Sequence, residues 1–139
     1  MTPAWRLWGS YSYLHMHSDS LAPGLSSPIP SNDPTQSPAR QFQLHSNLEL
    51  PRRWELDAAL YHVARLSYTG SSVYGIVFPG APAYTRVDLR LGWRPTDRLE
   101  LSLIGQNLLQ SRHLEFAPFL YRSPSEVPRS VFVQATAGF

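Results

Sequence analysis

The stretch Thr85–Trp93 reads TRVDLRLGW and decides the fold. Its odd-numbered positions are largely apolar, whereas its even-numbered positions carry charged or small side chains. A period of two residues places alternate side chains on opposite faces of a β-strand. The stretch therefore predicts a strand with one apolar and one polar face, and it places Arg86, Asp88 and Arg90 together on the polar face.

The same alternation recurs along the chain on both sides of this stretch. The predicted strands cover Trp5–His15, Gln41–Leu50, Trp54 to about Tyr68, Thr85–Trp93, a stretch from Leu99 to Gln106, and Ser130–Phe139. Every other position in each of them is mostly apolar, which is typical of strands that bury or shield one face only. We predict an all-β protein, an antiparallel up-and-down meander of about six long strands.

The connections between these strands alternate between long and short. Segments 17–40, 69–82 and 110–126 are rich in Pro, Ser and Gly and are predicted to be loops, whereas 51–53 and 95–97 are predicted to be tight turns. Transmembrane β-barrels have short turns on one side of the membrane and longer loops on the other. Because the smallest such barrels have about eight strands, the pattern predicts an incomplete part of a transmembrane barrel.

The composition agrees with strands that face lipid. Charged residues make up 16% of the 139-residue chain, below the roughly 25% of an ordinary soluble domain. The chain has no Cys, which excludes disulfides, thiolate metal sites and cysteine nucleophiles. Its basic residues are scattered and form no stripe alongside stacking aromatics, so we expect no nucleic-acid partner.

Large aromatic residues recur at one end of the predicted strands. If the short turns and the carboxy-terminus lie on one side of a membrane, then Trp5, Trp54, Trp93 and Phe139 lie at one level, all on apolar faces. Aromatic rings of this kind favour the boundary between lipid and water. These four residues are the predicted aromatic girdle at the membrane interface.

No constellation predicts catalysis, a cofactor or a metal. His15 and His17 lie two residues apart, but no third ligand is nearby, so a surface pair is the preferred interpretation. No Ser stands in a Gly-x-Ser-x-Gly setting, and we expect the protein not to be an enzyme.

The charged residues of the polar faces have a structural interpretation. Arg86, Asp88, Arg90 and Glu100 are expected to form a ladder of cross-strand pairs that satisfy one another. Asn107, with Gln106, is expected to cap its strand by hydrogen bonding to backbone in the segment that follows.

Most of the chain resembles a known family, and the resemblance is strongest in the carboxy-terminal half. Pro82–Trp93, followed by Leu99–Leu109, is similar to the penultimate hairpin of the carboxy-terminal barrel of TonB-dependent outer-membrane receptors, in which a strand with an acidic residue leads to an Asn-Leu ending. Val127–Phe139 is similar to the final strand. The positions that resemble the signal read by the barrel-assembly machinery are Val131, Val133, Ala135, Ala137 and Phe139.

The resemblance implies a role in the bacterial outer membrane. Residues 1–139 would be the carboxy-terminal segment of a receptor barrel, without the plug domain and the earlier strands. The full-length parent would take up a siderophore, haem, cobalamin or a similar ligand and would contact TonB only through the missing amino-terminal part. The implied partners are outer-membrane lipid, the barrel-assembly machinery, and the remaining strands and plug. The segment itself would be structural, as part of the barrel wall.

Two alternatives follow from the same alternation. A small soluble β-sandwich that binds carbohydrate or lipid would bury its apolar faces against each other. A small porin assembled from several copies would close a barrel by pairing strands between chains.

Overall fold

The computed structural model describes residues 4–15, 37–66, 80–116 and 125–138. Its strands are β1 (Trp5–Tyr13), β2 (Arg40–Leu50), β3 (Trp54–Val63), β4 (Tyr84–Thr96), β5 (Leu99–Gln106), β6 (Arg112–Phe116), β7 (Ser125–Pro128) and β8 (Ser130–Ala137). Six of them form one antiparallel sheet in the order β1-β2-β3-β4-β5-β8. The all-β meander is therefore confirmed, and the sheet is open, with β1 and β8 at its edges.

The remaining strands, β6 and β7, form a separate two-stranded sheet that connects β5 to β8. The prediction of an unstructured loop over 110–126 was wrong for the parts of it that belong to these strands. β6 is short and mixes Arg112, His113 and Glu115 with Leu114, so no regular apolar alternation marks it. The other two predicted loops, 17–40 and 69–82, lie largely outside the described residues.

Several strand ends differ from the predicted ones. β1 ends at Tyr13 rather than His15, and β3 ends at Val63. β4 continues to Thr96 because a bulge between Trp93 and Thr96 absorbs Pro95, which cannot donate a backbone hydrogen bond. The tight turn that follows is therefore displaced toward β5.

The turn between β2 and β3 fixes the pairing of these strands. Arg52 and Arg53 have φ values of 61° and 65°, in the left-handed region that most residues avoid. The chain reverses within Pro51–Arg53, and Leu50 pairs with Trp54. We call this end of the sheet, which also carries the turn between β4 and β5, the turn end, and the opposite end the loop end.

The sheet has two chemically distinct faces. Cross-strand partners share a face, so the apolar face consists of the odd-numbered residues of β1, β4, β5 and β8 and the even-numbered residues of β2 and β3. The remaining strand residues form the polar face. Among the described residues, no helix is long and apolar enough to cross a membrane.

Burial is inverted relative to a soluble domain. On the apolar face, Val133 is 73% exposed and Leu103 is 49% exposed. In the part of the chain that the structure describes, the one buried hydrophobic residue is Ala81, whereas the buried polar side chains are Asn47, Ser102, Asn107 and His113. A soluble sandwich would bury its apolar side chains. That alternative is therefore not favoured.

Candidate functional site

Arg90 is the centre of a group of charges on the polar face. Its Nη1 donates to Oδ2 of Asp57 at 2.6 Å and to Oε2 of Glu55 at 3.4 Å, and its Nη2 donates to Glu100. Gly92 leaves room for this guanidinium, because a Cβ at position 92 would lie only 3.0 Å from Nη2 of Arg90. One cation on β4 thus joins carboxylates of β3 and β5.

The charges continue across the neighbouring strands. Nδ2 of Asn47 donates to Glu55 at 2.7 Å and to Asp57 at 2.6 Å. On β1, Arg6 donates to Oδ1 of Asn47 at 2.8 Å. The ion network, as we call this group, consists of Arg6, Asn47, Glu49, Glu55, Asp57, Arg90, Arg94, Glu100 and Ser102. It spans β1 to β5 in the half of the sheet nearer the turn end.

The predicted charged ladder is only partly right. Arg90 pairs with Glu100 as expected, but Arg86 pairs with Asp88 on its own strand, with Nε 2.9 Å from both carboxylate oxygens. The two residues share the polar face because they are two positions apart. Alternation predicts the face on which each charge lies but not its partner. For that reason the sequence did not predict that Arg86 and Asp88 pair separately from Arg90 and Glu100.

An aromatic row continues the polar face toward the loop end. Trp8 stacks on His45 with ring centroids 5.0 Å apart, and His45 meets the ring of Tyr61 edge-on at 5.3 Å. The guanidinium carbon of Arg86 lies 5.3 Å from the centroid of the Tyr61 ring, a cation–π distance. Trp8 interrupts the alternation of β1 because it belongs to this row. Sequence analysis missed the row, although aromatic residues at polar positions were the available signal.

Asn107 anchors the β6–β7 hairpin to the sheet. It is fully buried, its φ is 52°, and its backbone N–H donates to Oδ1 of Asp88 at 2.9 Å. Its Nδ2 donates to the carbonyl of Val127 on β7 at 2.8 Å. Asn107 therefore makes the backbone hydrogen bond that was predicted, and it ties β4, the end of β5 and β7 to one point.

The hairpin contacts the polar face at the loop end of the sheet. The buried ring of His113 on β6 stacks on Tyr84 of β4 with centroids 4.2 Å apart. His113 and Val127 are register partners, so the same segment is held by the stack and by Asn107. Nothing in the sequence pattern indicated this contact.

The predicted interface residues that the structure describes lie on the apolar face. Trp54 and Trp93 are register partners with ring centroids 5.5 Å apart, and Nε1 of Trp5 donates to Oγ of Ser46 at 2.9 Å. The described positions of the predicted assembly signal lie on the exposed apolar side of β8; they are Val131, Val133, Ala135 and Ala137. Phe139 lies outside the described residues. The girdle and the assembly signal both stay predictions.

The chemistry of the polar face is that of paired charges and stacked rings. Within the described ranges, no group of three or more His, Asp or Glu side chains is placed to hold a metal ion. His17, one member of the pair considered from the sequence, lies outside them. The described carboxylates of the ion network are each paired with Arg or Asn, so the arrangement fixes strand register rather than activating a nucleophile.

Comparison with known proteins identifies the family. A family model described as TonB dependent receptor-like, beta-barrel matches residues 2–108, which include β1 to β5. The β6–β7 hairpin and β8 lie beyond the match. No curated protein and no solved structure matches the chain. The match covers well over half of the 139 residues, and the chain therefore belongs to the TonB-dependent receptor-like β-barrels, a family of bacterial outer-membrane receptors and transporters rather than of enzymes.

Proposed function

We propose that the six-stranded sheet is a wall segment of an outer-membrane receptor barrel, with its apolar face on lipid and its polar face toward the lumen. The observation that carries this proposal is the inverted burial: exposed Leu and Val on one face, paired charges on the other. In a transmembrane barrel the lipid-facing side chains are apolar and the interior is polar. The distribution of side chains fits a membrane wall and fits no water-exposed sheet.

The strand lengths support a membrane-spanning role. β2, β3 and β4 contain 11, 10 and 13 residues. A tilted transmembrane strand needs about 9–11 residues to cross the hydrocarbon core. The central strands are therefore long enough to cross a bilayer.

The positions of the Trp residues support the tilt. Trp54 and Trp93 are register partners, but Trp5 pairs with Leu48, which pairs with Leu56, two residues further along β3 than Trp54. A membrane plane cuts the hydrogen-bonded rows of a tilted sheet diagonally, so residues at one depth shift register from strand to strand. The three Trp side chains follow such a diagonal. We infer that they form the aromatic girdle at the turn end, together with Phe139.

The lengths of the connections give the orientation of the sheet in the membrane. Short turns of outer-membrane barrels lie on the periplasmic side and long loops lie outside. The turn end is therefore assigned to the periplasm, and the β6–β7 hairpin lies in the lumen near the outer mouth. The apolar side of β8 would be the surface read by the barrel-assembly machinery.

The edges of the sheet require partners. β1 and β8 each have an edge without a neighbouring strand in the described sheet, and unpaired backbone groups are not tolerated in hydrocarbon. We infer that further strands pair with both edges and close the barrel. In this arrangement residues 1–139 are the carboxy-terminal segment of the receptor, and the ion network faces its plug domain.

The transport role of the closed barrel is part of the proposal. The parent would take up a siderophore, haem, cobalamin or a similar ligand with energy delivered through TonB, which contacts the plug side of the receptor. Deletion of the gene in its host should abolish uptake of one such labelled ligand, and a strain without TonB should show the same loss. Unchanged uptake of all three ligand classes in the deletion strain would contradict this role.

The wall proposal is tested by comparing the chain in water and in lipid. We expect no cooperatively unfolding monomer in plain buffer, because the apolar face and two open edges associate. In phosphatidylcholine vesicles, the full-length receptor, in which both edges are paired, should show strand structure by circular dichroism, and these strands should be protected from protease. A stable, cooperatively folded monomer in plain buffer would contradict the proposal.

A further inference from the structure

The loop end of the apolar face carries a basic and aromatic patch. The loop-end patch, as we call it, consists of Tyr11, Tyr13, His15, Arg40, Phe42, His62 and Thr85. Tyr13 and Arg40 are register partners, and the guanidinium carbon of Arg40 lies 6.0 Å from the centroid of the Tyr13 ring. The ring of His15 stacks on the ring of Tyr13, with the two centroids 6.5 Å apart.

A second polar pair lies beside Arg40 on the same face. His62 and Thr85 are register partners, and Nδ1 of His62 lies 2.9 Å from Oγ1 of Thr85. Within the described residues, Nε2 of His62 has no hydrogen-bond partner. This nitrogen and the Arg40 guanidinium thus offer polar atoms on a face that is otherwise almost entirely apolar.

The charge of the patch is one-sided. All acidic residues of the six long strands lie on the polar face; they are Glu49, Glu55, Asp57, Asp88 and Glu100. In the described part of the chain, no carboxylate oxygen lies within 4.0 Å of the Arg40 guanidinium. The turn end of the same face differs, because it carries Trp54 and Trp93 without any charge. The two ends of the apolar face therefore suit two different interfaces.

We propose that the loop-end patch binds the phosphate group of a lipid headgroup in the outward-facing leaflet. This inference rests on the orientation under the proposed function, which places the loop end outside. A guanidinium matches phosphate oxygens with two parallel hydrogen bonds, and a cation beside hydrocarbon needs an anionic partner. Arg40 makes this pair, His62 and Tyr13 add hydrogen bonds, and the rings of Tyr11 and Phe42 contact the upper part of the acyl chains.

The test uses the full-length receptor in vesicles, so that both edges of the sheet are paired, with a fluorophore attached at Leu60→Cys, two residues from His62 on the apolar face. Quenching by brominated phosphatidylcholine reports insertion. The ratio of quenching by brominated phosphatidic acid to quenching by brominated phosphatidylcholine reports the preference for an anionic phosphomonoester headgroup over a zwitterionic choline phosphodiester. The preference should fall about fivefold in Arg40→Gln, because one cation near a membrane surface contributes that factor. The matched control, Arg94→Gln on the polar face, should keep the wild-type ratio.

The outcomes separate the two proposals. If phosphatidylcholine does not quench the wild-type chain, the strands are not in lipid and the proposed wall role fails. If it does quench, but Arg40→Gln keeps the wild-type preference or Arg94→Gln loses it equally, the headgroup site is overturned and the wall role stands. Full competition by an equal concentration of inorganic phosphate would also overturn it, since the site would then bind any phosphate rather than a lipid.

Discussion

Leu89 and Arg90 are adjacent on β4, yet the apolar side chain is more exposed than the charged one. Leu89 is 40% exposed on the apolar face, whereas Arg90, whose side chain is 25% exposed, is surrounded by carboxylates. In a water-soluble sheet the apolar residue would be covered and the charged residue solvated. The comparison teaches that one strand carries two sets of packing rules, which the proposed wall role explains by hydrocarbon on one face and a polar lumen on the other.

The largest effect should come from placing a charge on the wrong face. Leu89→Arg lies near the middle of the apolar face, between Thr85 and Trp93. An Arg at mid-bilayer destabilises a transmembrane barrel by about 3 kcal/mol. Urea titration of the full-length receptor in vesicles should show this loss of unfolding free energy. The matched control, Ala59→Arg, lies on the polar face beside its register partner Asp88 and should cost less than about 1 kcal/mol. Equal costs would mean that the two faces meet the same medium.

A second prediction removes the cation at the centre of the ion network. Arg90→Met leaves Glu55, Asp57 and Glu100 facing one another without their shared partner. We expect a loss of about 2 kcal/mol in the same titration, below the cost for a fully buried pair because the site is partly solvated. Arg94, which binds Glu55 and Glu100 from a 60% exposed position, is the control. Arg94→Met should change the free energy by less than about 0.5 kcal/mol, and an equal loss in both variants would contradict the central position of Arg90.

A third prediction releases the β6–β7 hairpin from the polar face. Asn107→Ala removes the donor to the Val127 carbonyl and places Ala, which tolerates the left-handed region less well than Asn, at a φ of 52°. The partly buried carbonyl left without this donor and the strained backbone should together cost about 2 kcal/mol. Asn107→Gly accepts the backbone angle and should cost about 1 kcal/mol less than Asn107→Ala. Protease cleavage within 111–129 should be faster in both variants, and unchanged cleavage would show that Asn107 does not anchor the hairpin.

The smallest effect concerns the turn between β2 and β3, outside both faces. Arg52 has a φ of 61°, so Arg52→Gly relieves strain but also increases the freedom of the unfolded chain. The net result should be a gain of about 0.5 kcal/mol. Arg98, in the other tight turn, has no positive φ, and Arg98→Gly should lower stability by a similar amount. A loss in Arg52→Gly would show that the side chain contributes more than the backbone strain costs.

Much of the sheet could be predicted because alternation and turn chemistry are local. The faces of Arg86, Asp88 and Arg90 follow from a period of two, and Pro51–Arg53 marks the reversal between β2 and β3. The meander order follows from the tendency of strands that are consecutive along the chain to pair with each other. Strand ends were less predictable, since Pro95 is accommodated by a bulge rather than ending β4.

The polar face was harder to predict because its contacts are not local. Asn47, Asp57 and Arg90 meet only through the registers of two strand pairs, and alternation alone does not specify register. The stack of Tyr84 on His113 depends on the hairpin folding back over the sheet. Trp8 looked like a break in the pattern because its partner His45 lies on another strand.

The central claim is that the apolar face contacts lipid. The chain has no Cys, so a single introduced Cys can carry a fluorophore that reports the medium at its position. Single-Cys variants Leu89→Cys and Ala59→Cys of the full-length receptor, each carrying the same fluorophore, would be folded into vesicles that contain brominated phosphatidylcholine. We predict strong quenching by the brominated lipid at position 89 and little at position 59, with the reverse order for a water-soluble quencher. Equal quenching by lipid at both positions, or quenching at position 89 only by the water-soluble agent, would contradict a membrane wall.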